Sequence, residues 1–314
     1  MKRPIKSSEN MNTNNLPNLN ESVLSALDFF VKNKPPRLAL SKSHAYLAAG
    51  SAGAAHACRL VFAKTDCFFG DESNFRQIIK TYQPFIKNQT IKEAYIISSS
   101  GEKDSLWQIK AAQAAGLKTT ILTCQADSRG ARLADRNLIF GKIPEPYSYN
   151  SSTYLGMCLS VTQEKPEAIK KFLAALVLPK NFKKYSFFSF ILPDAFKPIV
   201  DMLNTKDDEL FGPYSSLRAY TEGEARHAKF ICRSEKELVI SFVPNPYFGL
   251  PKNRWTIKLP KNAQAGLILC LSYYLAGCVQ AVKPPYFKRD IANYCLKTGP
   301  KPYGQKKAFP VTVR

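Results

Sequence analysis

The chain has 314 residues, of which 45 are Lys or Arg and 24 are Asp or Glu, giving a formal charge of +21. Its 45% hydrophobic and 12% aromatic content is enough to bury a sizeable core, which excludes a disordered chain, and its length suits about two domains. The longest apolar stretch falls short of the roughly 18 residues a membrane span needs, and residues 1–16 lack the apolar segment of a secretion signal, so a cytoplasmic protein without a membrane partner is expected.

Residues 1–17 are rich in Asn and Ser and read as a flexible tail. In 21–32, Val23, Leu24, Leu27 and Phe30 fall on one helical face, and Pro35-Pro36 stops the helix. This helical arm precedes an alternation of short β-runs and helices. A strand over 46–49 runs through Gly50-Ser51-Ala52-Gly53 into a helix ending at Val61. A strand over 93–98, a helix over 105–115 closed by Gly116, strands over 118–123 and 136–140, and a helix over 153–161 follow.

The composition turns basic near residue 180 and the alternation restarts. A strand over 185–192 leads to an Asp194-capped helix reaching Leu203, then strands over 237–243 and 255–259 and an apolar helix over 263–282. From Lys283 the chain is rich in Pro, Tyr and Lys and is expected to wrap a surface. Strands separated by helices imply right-handed parallel crossovers. The expectation is an α/β protein with two doubly wound parallel-sheet units in tandem, 18–179 and 180–314, behind the tail.

Eight cysteines stand singly with no CxxC, and His56 and Cys58 form the one close Cys/His pair. This usage predicts buried free thiols in a reducing compartment, with neither a disulfide framework nor a metal site. The basic residues are scattered, and no helix-turn-helix or RNP signature is present. Nucleic acid is therefore expected to bind only nonspecifically, if at all.

The most informative segment is Ile97-Ser-Ser-Ser-Gly-Glu-Lys-Asp-Ser105, between a strand and a helix. Free amides at the helix start, with hydroxyls from Ser98, Ser99, Ser100 and Ser105, suit an anion at the carboxyl edge of a parallel sheet. The plainer alternative is a turn in which Asp104 or Ser105 caps the helix. Gly50-Ser51-Ala52-Gly53 makes a second small-residue turn after a strand. It lacks the GxGxxG spacing and its later acidic residue, so no dinucleotide or other cofactor is expected. Two hydroxyl-bearing turns on one sheet suggest a phosphorylated polyol.

These segments resemble the sugar isomerase (SIS) domain family. The turn at Ser51 is similar to the family's first ligand turn. Ser98-Ser-Ser-Gly-Glu102 with Asp104-Ser105 is similar to its Ser-x-Ser-Gly-Glu-Thr phosphate loop, one residue shorter. Residues 117–135 match the following strand, serine-bearing loop and Leu-Ala-Asp, and Glu145 with Ser151-Ser152-Thr153 matches the next loop. In the second unit, Ala219-Tyr-Thr-Glu-Gly-Glu-Ala-Arg-His227 resembles a segment of the isomerase half of glutamine-fructose-6-phosphate amidotransferases. Lys301-Pro302 and Val311-Thr-Val313 resemble the tail of that half. The resemblance spans roughly 35–314.

The resemblance implies a phosphosugar held by Ser51, Ser98, Ser99, Ser100, Ser105, Ser152 and Thr153. It also implies a catalytic set of His227 for ring opening, Glu209 for proton transfer and Lys307 against the sugar. Ungapped matching from His227 puts Phe211 at the family's Glu position, with Glu209 the nearby carboxylate and Glu222 and Glu224 in reserve. Counting back from Val313 puts Phe309 at the Lys position, whereas counting forward from Lys301 reaches Lys307. On its residues alone, His227 among charged neighbours reads as a surface or capping histidine. The resemblance thus implies a cytoplasmic homodimer, with its site near the interface, that isomerises, deaminates or deglycates a sugar phosphate. The alternative is a noncatalytic sugar-phosphate sensor.

Overall fold

The computed structural model describes residues 13–41 and 43–314. Helix α1 (Leu19–Lys32) starts where Asn18 donates its backbone N–H to the Glu21 carboxylate at 2.6 Å, and it buries Leu19, Val23, Ala26, Leu27 and Phe30 along one side. Then come β1 (Ala45–Ala49), α2 (Gly53–Val61), β2 (Cys67–Gly70), α3 (Phe75–Thr81), α4 (Gln83–Lys87), β3 (Ile91–Ile97), α5 (Asp104–Ala114), β4 (Lys118–Thr123), α6 (Arg129–Leu133) and β5 (Arg136–Ile139). Every pairing among these strands is parallel, in the order β2-β1-β3-β4-β5. Helices cover both faces, so the central strands are buried nearly end to end; Leu47 lies opposite Ala94, and Ile96 opposite Ile121.

The chain continues through β6 (Glu145–Pro146), α7 (Ser151–Thr162) and α8 (Pro166–Ala174). The second sheet follows with β7 (Phe187–Leu192), α9 (Lys197–Leu210), β8 (Leu217–Thr221), α10 (Glu222–Ala225), β9 (Glu237–Ser241) and β10 (Arg254–Thr256). It too is all parallel, in the order β10-β9-β7-β8. Helices α11 (Ala265–Val282) and α12 (Tyr286–Asn293) and strand β11 (Thr312–Val313) complete the chain.

One continuous apolar core joins the two sheets, with α11 packed against α1, α7, α8 and α9. Among the described residues α11 is the one helix long and apolar enough to cross a membrane, and most of it is buried in this core. A Cβ on Gly277 would come within 1.9 Å of the Asn20 amide nitrogen, so α1 approaches α11 at a distance only glycine allows. Gln280 of α11 accepts from the Leu19 N–H at 2.9 Å and donates to the Tyr149 hydroxyl at 2.9 Å, which satisfies polar groups the packing would otherwise strand.

Several expectations are corrected. Residues 1–12 of the tail lie outside the described residues, but 13–15 form a helical turn and the Pro17 carbonyl accepts from Tyr149 at 3.0 Å. The helix expected to stop at Leu203 runs to Leu210. The C-terminal segment contains α12, buries Phe309 and Val311 in the core, and returns to the first unit by pairing β11 antiparallel with β6. All eight cysteines are free, yet not all are buried: Cys67 and Cys124 are half-buried and Cys232 is exposed.

Candidate functional site

A cleft of about 1190 Å³ opens at the carboxyl edge of the first sheet, walled by the turns after β1 and β3, the end of α9, α12 and the C-terminal segment. Ser51, Ser98, Ser99, Ser100, Ser105, Glu209 and Lys307 all line it. The turn after β3 is rigid. Gly101 has φ of +63°, and a Cβ there would lie 2.1 Å from Ser128 Oγ, so the sharp reversal requires glycine. Gly101 O accepts from Gly130 N at 2.8 Å, and Ser99 O from Cys124 N at 3.0 Å, which fastens the turn to the next loop.

The hydroxyls divide by role. Ser98 Oγ accepts from Gly101 N at 3.1 Å, Ser99 Oγ meets Thr153 Oγ1 at 3.0 Å, and Ser105 Oγ donates to Glu102 O at 2.8 Å. Neither Asp104 nor Ser105 caps α5; Lys103 occupies that position. Ser100 is exposed and has no partner among the described residues. Ser51 Oγ, Gln108 Oε1 and Ser148 Oγ are buried atoms of residues lining the cleft, and none has a hydrogen-bond partner. Buried polar atoms are nearly always satisfied, so these three orphans on residues lining the cleft are places where a polar ligand can supply the missing bonds.

Ser152 and Thr153 stand behind this wall and do not line the cleft. Both are fully buried; Ser152 donates to Glu145 Oε1 at 2.8 Å, and Thr153 supports Ser99. Glu145 Oε2 also accepts from Ser151 N at 2.8 Å, so the carboxylate ties down the start of α7. The resemblance places these hydroxyls among the ligand contacts, and burial on all sides of α7 is invisible in a short polar triplet.

On the opposite wall, Lys206 and Glu209 share one face of α9 at the i,i+3 spacing and form an ion pair. The Lys206 side chain is 3% exposed, against 28% for Glu209. Its ammonium also donates to Ser148 O at 2.6 Å and lies 5.3 Å from the Tyr273 ring centroid. Neighbouring Asp207 is committed elsewhere, accepting from Ser216 N and Leu217 N at 2.9 Å each. Phe211 is buried in the cleft wall, so Glu209 is the ionic group that this stretch presents there together with exposed Asp208.

His227 is not in this cleft. It is exposed in the turn after α10, where its N–H bonds to Glu224 O at 3.0 Å. Glu224 caps Thr221 N at 2.9 Å and pairs with Lys197 at 3.0 Å, so it is occupied. Lys307 is exposed at the rim, while Phe309 stacks on Tyr147 with centroids 5.3 Å apart. Lys206 and Lys103, both missed in the sequence, are drawn into the cleft region by partners distant in the chain. The Lys-x-x-Glu spacing of 206 and 209 was the one local signal available. Among the described residues, no group of three or more His, Cys, Asp or Glu is placed to hold a metal.

No family model matches the sequence, and no curated sequence matches it either. Solved structures do. The C-terminal domain of glucosamine-fructose-6-phosphate aminotransferase from Francisella tularensis superposes with a TM-score of 0.57 at 13% identity, covering 89% of this chain and 98% of that one. Tagatose-6-phosphate ketose/aldose isomerase from Escherichia coli gives 0.56 at 10% identity, covering 85% and 89%. Glucosamine-6-phosphate deaminase from Thermotoga maritima gives 0.52 at 13% identity, covering 84% and 92%. The fold is therefore that of tandem SIS domains, two parallel α/β units in one chain, as the resemblance implied.

Proposed function

We infer that the cleft binds a sugar phosphate and moves a proton beside its carbonyl, as an aldose-ketose isomerase or a related deaminase or deglycase. The observation that carries this is the juxtaposition of the Ser98–Ser105 turn and the Glu209 carboxylate as linings of one cleft. The names of the three similar structures, all concerned with hexose phosphates, support the same class.

In this reading the phosphate sits on the turn and the N-terminal amides of α5, with hydrogen bonds from Ser100 and Ser51. That anchoring leaves the open-chain carbonyl toward α9. Glu209 takes the proton from the carbon next to the carbonyl and returns it to the neighbouring carbon. Lys206, fixed by Ser148 O, holds the carboxylate in place, and Lys307 reaches the sugar from the rim. In the deaminase and deglycase variants the same proton shift turns the amine-bearing carbon into an imine, which adds water and releases the amine to leave a carbonyl. His227 would open the ring from a second copy of the chain, which makes the working unit a homodimer with its site near the interface. Eight unpaired cysteines suit a reducing cytoplasm.

The placement of His227 outside its own chain's cleft favours a second reading, a sensor that binds the phosphosugar without turnover. One experiment separates them. Purified protein is incubated with hexose and hexosamine 6-phosphates in deuterated water while the C2 proton is followed by NMR. Exchange supports the enzyme; binding seen by thermal shift with no exchange supports the sensor; neither signal with any sugar phosphate rejects both.

A further inference from the structure

We propose that Lys103 is the cation that pairs with the ligand's phosphate in this cleft, an assignment that rests on the sugar-phosphate reading. Lys103 lies at the junction of the turn and α5 with φ of 58°, the left-handed region that favours glycine. Its ammonium lines the cleft, donates to the Tyr147 hydroxyl at 3.1 Å, and lies 4.1 Å from the Phe309 ring centroid and 4.2 Å from that of Tyr303.

An ammonium has three N–H donors, and one is used. No carboxylate among the described residues lies within ion-pair distance of it. Burial, only partly countered by Asp104, pulls its pKa below the ordinary lysine value. The aromatic rings therefore hold the charge in place without neutralising it, as ring faces do.

The charges of the turn show what this cation is for. The turn carries two carboxylates of its own, Glu102 and Asp104, both lining the cleft. Arg129 is spent on Glu102, with its Nε 2.6 Å from Oε2 and its backbone N–H 3.0 Å from Oε1. Asp104 accepts only a neutral indole N–H, from Trp107 at 3.2 Å. Without Lys103 the formal charge is negative, and hydroxyls with helix-end amides would have to hold a dianion against it. Counting Arg129, Lys103 brings the formal charge here from −1 to zero, which removes that repulsion, and two of its N–H donors are not given to Tyr147.

The test titrates inorganic phosphate and fructose 6-phosphate calorimetrically into wild type, Lys103→Met and Lys103→Arg, at low and raised salt. Methionine keeps the apolar stem among the rings, so folding, checked by thermal melting, is expected to hold. The expected result is a loss of about 10- to 100-fold in affinity for both probes in Lys103→Met, as for a lost charge-assisted contact, with a weaker salt dependence and substantial recovery in Lys103→Arg. If Lys103→Met binds both probes like wild type while Ser100→Ala weakens them, Lys103 is a structural plug; this proposal falls and the sugar-phosphate reading stands. If Lys103→Met loses inorganic phosphate but wild type ignores fructose 6-phosphate, Lys103 is upheld and the sugar reading falls. Wild type that binds neither probe overturns both.

Discussion

Removing the charge of Glu209 should destabilise the fold more than removing that of Lys206, although the two form one ion pair. The reason is the asymmetry of burial: the Lys206 side chain is 3% exposed and that of Glu209 is 28% exposed. At an effective dielectric near 20, two unit charges in contact attract by roughly 5 kcal/mol, most of which is offset by taking the ammonium out of water. Glu209→Gln leaves that dehydrated ammonium with the Ser148 carbonyl, the Tyr273 ring and a neutral amide oxygen, so we expect a loss of about 2 kcal/mol. Lys206→Met leaves a carboxylate that can rehydrate through the cleft, for a loss of about 1 kcal/mol. The double variant should cost about 1 kcal/mol rather than the sum, because no lone charge remains buried. Urea denaturation at fixed protein concentration measures all three. Equal single losses, or losses that add to within about 0.5 kcal/mol, would refute the argument that the pair is coupled and unevenly solvated. In the deuterium-exchange assay Glu209→Gln should also lose about 10²-fold or more in rate, the usual contribution of a positioned base.

The orphaned Ser51 Oγ makes a contrary pair of expectations: Ser51→Ala leaves thermal stability unchanged or slightly raised, since an unsatisfied polar atom is removed, yet weakens fructose 6-phosphate binding by about 1 kcal/mol in calorimetry. Cys232 is the exposed thiol, and burial pushes the others up, Cys278 to about 11, so native protein should react with a disulfide reagent at about one fast equivalent that Cys232→Ser abolishes. The Asp135 carboxyl is held below its ordinary value by the Thr119 N–H and hydroxyl at 2.7 and 2.8 Å. A depressed carboxyl stabilises the fold above its unfolded value near pH 4 and ceases to do so as pH falls through the folded value; the melting-temperature gap between wild type and Asp135→Asn should therefore close as pH falls below about 4.

What could be read from sequence was local. Apolar β-runs ended by small residues placed β1, β3, β4 and β7 to within a few residues, and the density of Leu, Ile and Cys placed α11. Strand β8, the five-residue edge strand Leu217–Thr221, alternates buried and half-buried side chains, but its second half coincides with the Ala219–His227 resemblance and no strand is assigned there. Strands β6 and β11 are two residues each and exist only through each other, which no periodicity can announce. Helix α8 lies in a stretch to which the sequence pattern assigned no element, and the structure shows its Ile169 and Leu173 buried in the core.

The same distinction explains the site. The Ser98–Ser105 turn is a contiguous run whose backbone geometry follows from its own residues and Gly101, so its place at the carboxyl edge of the sheet was legible. Lys206 in Lys-Asp-Asp-Glu looks like a solvated charge run, and only the carbonyl of Ser148, 58 residues away, and the Tyr273 ring show it buried beneath Glu209. Lys103 looks like a stray charge in the phosphate-loop resemblance. Its rings come from Tyr147, 44 residues on, and from Tyr303 and Phe309 in a tail that was expected only to cover a surface. Phe309 thus accounts for its own failed match: placed by one count where the family has its sugar-contacting lysine, it supplies a ring face to a lysine that arrives from the phosphate turn. If Lys103 carries the phosphate's charge, the tail serves the site through the rings of Tyr303 and Phe309, and a pattern matched along the chain has no way to register that contribution.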